Sequence, residues 1–155
     1  MISRRIDFNE PIPQMIERLK SEHRSFESKI AEVQGNINNN DIEHAIEIVR
    51  SMTEKVTHHA VEEEARIMRI IMQKAKNESP ESNKIMQEHN WVMDFFKNKL
   101  EDIENRINSE VDSKNHTDKK EQSKKELTEF ITNLRSHFSE EEQIVFPLAL
   151  KADLL

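Results

Sequence analysis

Apolar residues recur at intervals of three and four in four stretches of this chain, the spacing of one buried helical face. The first series is Ile16, Leu19, His23, Phe26, Ile30 and Val33, with Gly35 and Asn36 expected to end it. After a polar turn at residues 38–40, with Asp41 as N-cap, a second runs Val49, Met52, Val56, His59, Glu63, Ile67 and Ile70. It is expected to stop around Asn77-Glu78-Ser79-Pro80, because proline disfavours helix at the residue before it. The third is Ile85, His89, Met93, Phe96, Leu100, Ile103 and Ile107. Residues 109–120 have little apolar content and predict a solvated loop, and the fourth series follows at Leu127, Phe130, Leu134, His137, Glu141, Val145 and Leu148. Four amphipathic helices joined mostly by short turns predict an all-α fold, an up-down-up-down antiparallel four-helix bundle. The expected organisation is one domain over residues 1–155, with residues 1–10 as an N-terminal arm.

The polar residues within these faces are themselves patterned. His59-Ala-Val-Glu-Glu63-Glu64 in the second helix matches His137-Phe-Ser-Glu-Glu141-Glu142 in the fourth, and Glu22-His23 in the first matches Glu88-His89 in the third. The chain therefore reads as an internal two-helix repeat. His23 and His59 stand 36 residues apart and His89 and His137 stand 48 apart, and the difference equals the length of the polar segment 109–120.

One glycine and four prolines in 155 residues support helix throughout. A net charge of −7 argues against sequence-independent nucleic-acid binding, which depends on excess Lys and Arg. The absence of cysteine excludes disulfides, thiolate zinc sites and iron–sulfur clusters, and the absence of tyrosine excludes a tyrosyl radical. The N-terminal residues lack the apolar run of a signal peptide and no apolar segment is long enough to cross a membrane, so a cytoplasmic protein without a membrane partner is expected.

A single histidine on an apolar face is ordinarily a core residue with a satisfied hydrogen bond. Here four helices each carry one and two add a glutamate, a set of polar groups too costly to bury unpaired. Imidazole and carboxylate are good ligands for iron, manganese or zinc, which makes His23, His59, Glu63, His89, His137 and Glu141 the expected metal-binding residues. The second helix allows two registers. At about 100° per residue, His59 and Glu63 lie about 60° and about 20° from Val56, while His58 and Glu62 lie about 160° and about 120° away. His59 with Glu63 is therefore preferred, with His58 and Glu62 as the other register. Glu22 and Glu88 are read either as partners that orient a histidine or as surface charges, and Glu64 and Glu142 as solvated. His44 and His116 are read as solvated, Trp91 as pointing away from His89, and Met52, Met86 and Met93 as core filling.

With these residues in place, the chain resembles the hemerythrin-like, or HHE cation-binding, family. The resemblance rests on LKSEHRSF around His23, HAVEEEARIM from His59, MQEHNWVM around His89 and HFSEEEQIVFPLAL from His137. It spans about residues 10–150, nearly the whole chain. It implies a four-helix bundle around an oxo- or hydroxo-bridged di-iron centre, two Fe ions in all, with zinc or manganese able to take the same donors on purification. His23, His59, His89 and His137 would be terminal ligands and Glu63 and Glu141 bridges. One feature departs from the oxygen-carrying members, which have a fifth histidine spaced by four on the third helix. Here Met93 and Ile85 occupy the positions four after and four before His89, so the resemblance is closer to the iron-centre repair and nitric-oxide-responsive branch. The implied function is binding or sensing of O2, NO or peroxide, or handling of iron, under oxidative or nitrosative stress. A di-iron peroxidase or NO-reducing enzyme is one alternative, and an iron-dependent regulatory interaction module is another. Phe26, Met93, Phe96 and Phe138 are expected to line the ligand pocket.

Overall fold

The structure, a computed structural model, describes residues 5–108 and 113–155. Among these residues it is all-helical. Helix α1 spans Ile12–Asn38. Helix α2 (residues 42–74) comprises Ile42–Glu62, a π-helical turn Glu63–Met68, and Arg69–Lys74. A 3₁₀ turn, Lys76–Glu78, leads into α3 (residues 79–108), built from Ser79–Asp94, a π turn Phe95–Lys99, and Leu100–Asn108. Helix α4 (residues 113–153) comprises Ser113–Glu140, a π turn Glu141–Val145, and Phe146–Asp153. No described helix is long and apolar enough to cross a membrane.

The apolar stripes become two separate clusters. One gathers Phe26, Ile30 and Val33 from α1, Val49, Met52 and Val56 from α2, Val92, Phe96 and Leu100 from α3, and Phe130, Leu134 and Phe138 from α4. The other gathers Met15 and Leu19 from α1, Ile67 and Ile71 from α2, Ile85 from α3, and Val145, Phe146 and Ala149 from α4. Full burial of a Val, Leu, Ile, Phe or Met side chain contributes about 1.5–3 kcal/mol, which makes the stripes the main favourable term in assembly. In α1, α2 and α3 the inward histidine, with Glu63 in α2, falls between the two clusters, and in α4 Glu141 does, with His137 beside Phe138 at the end of the first. The folding problem posed by this chain is therefore how to close a bundle around a polar layer.

Several sequence expectations need correction. Helix α1 does not end at Gly35-Asn36. It runs on to Asn38, and the chain turns at Asn40, whose φ of 61° is the left-handed conformation that asparagine tolerates better than most residues. Asp41 then caps α2 by accepting from the His44 amide at 3.2 Å, as its position suggests. The segment 109–120 is not a loop throughout, because helix begins at Ser113, while residues 109–112 lie outside the described residues. A polar stretch can be helical when one end continues into a buried face, since packing downstream stabilises the turns before it.

The core register also slips by one residue after two of the π turns. Ile71 rather than Ile70 is buried in α2, and Ala149 rather than Leu148 in α4. A π turn inserts one extra residue, so an ideal helical period carried past it predicts the wrong neighbour. The same widened turn admits Pro147 into α4, because it draws the carbonyl four residues back away from the ring.

Gly35 sits in the helical part of α1, exposed, and a Cβ built on it would meet nothing within 4 Å. Gly35→Ala should therefore stabilise the fold by about 0.5–1 kcal/mol, read as a higher unfolding midpoint in urea with an unchanged slope.

Candidate metal centre

His23 on α1, His59 on α2, His89 on α3 and His137 on α4 are all buried, and Glu63 and Glu141 are fully inaccessible. The structure brings these six together. His23 and His59 share one four-residue group with the two glutamates, and His89 and His137 share another with the same two, the donor atoms of each group lying within 4.8 Å of one another. In α2 the register is that of His59 and Glu63. His58 and Glu62 turn to a different network, where His58 Nε2 stands 3.2 Å from Glu62 and Glu62 pairs with Arg18.

Both glutamates reach across to both histidine pairs. Glu141 Oε1 lies 2.9 Å from His23 Nε2, and its Oε2 lies 3.3 Å from His89 Nε2 and 3.2 Å from His137 Nε2. Glu63 Oε2 lies 3.2 Å from His59 Nε2, and its Oε1 lies 3.1 Å from His89 Nε2. One oxygen of each carboxylate thus serves each pair. The helix dictates part of this, because a glutamate four residues after a histidine shares its face. The π turns opening at Glu63 and Glu141 supply the rest by letting the chain resume its apolar register after an inward carboxylate.

Each histidine uses its other nitrogen on a carboxylate of a neighbouring helix. His59 Nδ1 donates to Glu22 of α1 at 2.7 Å, and His89 Nδ1 to Glu64 of α2 at 3.1 Å. His137 Nδ1 donates to Glu88 of α3 at 2.7 Å, and His23 Nδ1 to Glu142 of α4 at 2.7 Å. The four pairs close a ring around the bundle. Because an ionised carboxylate only accepts, every Nδ1 must carry the hydrogen, which in the neutral ring leaves the Nε2 lone pair pointing inward.

Glu64 and Glu142 therefore correct the sequence expectation that they are simply solvated. Each is partly exposed, yet each orients a histidine. The sequence feature that could have marked them is the second Glu shared by both His-x-x-x-Glu-Glu motifs. For Glu22 and Glu88 the structure favours the orienting reading over the surface one. Replacing any of the four by glutamine should lower metal affinity about 10–100-fold, measured by competition with a chelator, with the fold retained.

The electrostatics of the cluster follow from this packing. Burial disfavours charge on His59, but Glu63 and Glu22 outweigh it and push its pKa up to about 10. Burial likewise opposes charge on His89, and Glu141, Glu63 and Glu64 push it up to about 12. In His137 burial is outweighed by Glu141 and Glu88, giving about 9. Glu141 is lowered well below the ordinary carboxylate value, since contacts with His137, His23 and His89 overcome the cost of burying it. The inner carboxylates are strong enough to hold cations, and without metal those cations are protons.

The donor set fits metal better than it fits hydrogen bonding alone. Both oxygens of Glu63 and Oε1 of Glu141 are buried without an aligned hydrogen-bond donor, although histidine nitrogens stand close by. His23 Nε2 and His59 Nε2 face each other at 3.0 Å, and both of their Nδ1 atoms are already committed elsewhere. A metal ion that displaces the protons between these groups satisfies the inward nitrogens and the carboxylate oxygens together. Each half offers two imidazole nitrogens and two carboxylate oxygens, ligands suited to iron, manganese or zinc.

The surrounding rings divide unevenly. Phe138 stacks on His23 at 4.3 Å between centroids, and Phe26 lies edge-on to His59 at 5.4 Å. Phe96 meets Phe130 at 5.4 Å, in the same apolar cluster as Phe26 and Phe138. Met93 is partly buried, with its sulfur 3.3 Å from the Thr57 hydroxyl. Trp91 is 42% exposed and stacks on Phe130, consistent with its pointing away from the cluster. His44 is exposed beside Asp41, and the side chain of His116 lies outside the described residues.

Among known protein families, the model described as Hemerythrin HHE cation binding domain matches residues 14–149. No curated protein and no solved structure matches the chain.

Proposed function

The chain belongs to the hemerythrin HHE cation-binding family, and from that footing we propose that its six-residue cluster holds two iron ions bridged by Glu63 and Glu141. The observation that carries this reading is the division of each carboxylate between the two histidine pairs. His23 and His59 would complete one position, and His89 and His137 the other. The same reading takes the helices as up-down-up-down and the two halves as an internal repeat. It is supported by the order in which each helix passes between the apolar clusters, which alternates from α1 to α4. The matching pairs Glu22–His59 and Glu88–His137 support the repeat.

A pair of iron ions here would supply redox chemistry and a site for one small ligand, O2, NO or peroxide. The residues supply the rest. The outer carboxylates hold each imidazole in the tautomer that presents Nε2, and the two buried glutamates balance the positive charge. Phe26 and Phe138 keep water from the His23 and His59 side. With methionine at position 93, four histidines rather than five face the cluster, which leaves room for a ligand and favours sensing or iron handling over simple oxygen carriage.

The deciding experiment is metal content with an optical spectrum on protein expressed with iron, before and after adding O2, azide or NO. About two irons per chain, with near-ultraviolet bands that respond to the ligand, is the expected result. Two irons without any response would favour storage, repair or a regulatory role. Sustained turnover of peroxide or NO with an electron donor would favour the enzyme reading. A folded protein that takes up no metal would overturn the proposal.

A further inference from the structure

The two halves of the cluster are built alike at the ligands but differently behind them. Four residues before Glu22 stands Arg18, and four residues before Glu88 stands Lys84. Arg18 gathers three carboxylates: Glu22 at 2.8 Å, Glu10 of the N-terminal arm through two contacts at 2.8 and 3.2 Å, and Glu62 of α2 through both terminal nitrogens. Arg66 secures the arm by donating to the Asp7 and Glu10 carbonyls at 3.0 and 2.6 Å. The carboxylate that orients His59 is therefore fixed from α1, from α2 and from the arm. Lys84 is largely exposed and reaches Glu140 at 2.7 Å, so it acts on Glu88 only at a distance and through Glu140. Among the described residues no lysine or arginine stands within ion-pair distance of Glu88.

A second, independent difference lies in the rings. His23 is held between Phe138 at 4.3 Å and Phe146 at 5.7 Å, both nearly parallel to it. His89 and His137 meet edge to face at 4.8 Å, and His137 is tilted against Phe138 at 5.9 Å. Both restraints fall on the same half, that of His23 and His59.

We propose that Arg18 is a positioning residue that makes the two metal positions unequal, so that the His23 and His59 position fills first and binds more tightly. The inference rests on the two-metal reading. Its physical basis is that ligands already ordered lose less conformational freedom when metal arrives. An opposing effect is that a guanidinium near the site repels a cation and weakens Glu22 as an acceptor. Three carboxylates share that single positive charge, so the local field stays negative and the ordering effect prevails. The arm enters the argument because Glu10 is one of the three.

The test is a titration of metal-free protein with Co2+ as the probe, following its visible absorption together with bound metal by equilibrium dialysis. Two resolved steps are expected, the first at least about tenfold tighter than the second. Arg18→Gln should bring the steps together with the total still about two per chain, Arg18→Lys should restore part of the separation, and Lys84→Gln should change neither step. His89→Ala should keep the tight step and His23→Ala should lose it, a comparison that decides the assignment even if Arg18→Gln fails to fold. Two equivalents bound in one unresolved step, or an unchanged tight step in Arg18→Gln, would overturn the inequality and leave the two-metal reading standing. No bound cobalt would overturn both.

Discussion

If Glu63 and Glu141 bridge two metal ions as proposed, Glu141→Ala should empty both positions at once, taking bound metal from about two ions per chain to near none. The expectation follows from the way one carboxylate is divided, with Oε1 beside His23 and Oε2 beside His89 and His137. Removing a ligand that belonged to one position would leave the other filled. Alanine also takes away the buried anion that keeps neighbouring imidazoles charged, so the metal-free variant must neutralise them or bury unpaired positive charge. Breaking a buried pair of this kind costs about 3–5 kcal/mol. Glu141→Gln separates the two effects, since it keeps the shape and loses the charge. Metal analysis and urea unfolding of both variants check the prediction. Retention of one ion per chain in Glu141→Ala would show that the carboxylate serves a single position.

Metal-free and metal-loaded protein should respond to pH in opposite directions. In the metal-free chain His59, His89 and His137 are raised from 6.5 to about 10, 12 and 9. Groups raised on folding stabilise fully below their unfolded value, and that stability is lost as pH climbs through the folded values. Stability should therefore decline from about pH 6.5 upward, as each of the three histidines approaches and passes its folded value. Glu141, held below its ordinary 4.5, acts at the other end: its contribution is present above that value and fades as pH falls through the lower one. The metal-free protein should be most stable between about pH 4.5 and 6.5.

With metal bound, protons compete for the same nitrogens and oxygens, so metal is retained at high pH and released as pH falls. Thermal melts from pH 5 to 9, with iron or with a chelator, give two curves that should cross. A chelated sample whose melting temperature rises between pH 6.5 and 9 would contradict the charge state assigned to the cluster.

Local periodicity was enough to place the helices and the side of each that faces inward. The three-and-four spacing of Leu19, His23 and Phe26, or of Val56, His59 and Glu63, is a local property of α-helical geometry. It held wherever the helix was regular, and for that reason the six inward polar residues were legible before any contact was known. Where the helix widens into π turns the same arithmetic ran one residue out of step, at Ile70 and Leu148. Helix ends were harder, because Gly35 is compatible with a stop yet α1 continues through it, held by the burial of Ile37 beyond.

Which groups meet across helices is a property of the assembled bundle. Glu22 precedes His23 in the chain but orients His59, and Glu64 follows Glu63 but orients His89. Adjacent residues on a helix diverge by about 100°, so the residue beside a ligand is directed at the next helix and not at its neighbour in sequence. The closed ring of carboxylates, the sharing of Glu63 and Glu141 between two histidine pairs, and the clamp at Arg18 depend on how four helices are rotated about their axes. That rotation is set by the packing of the whole core, which local periodicity does not encode.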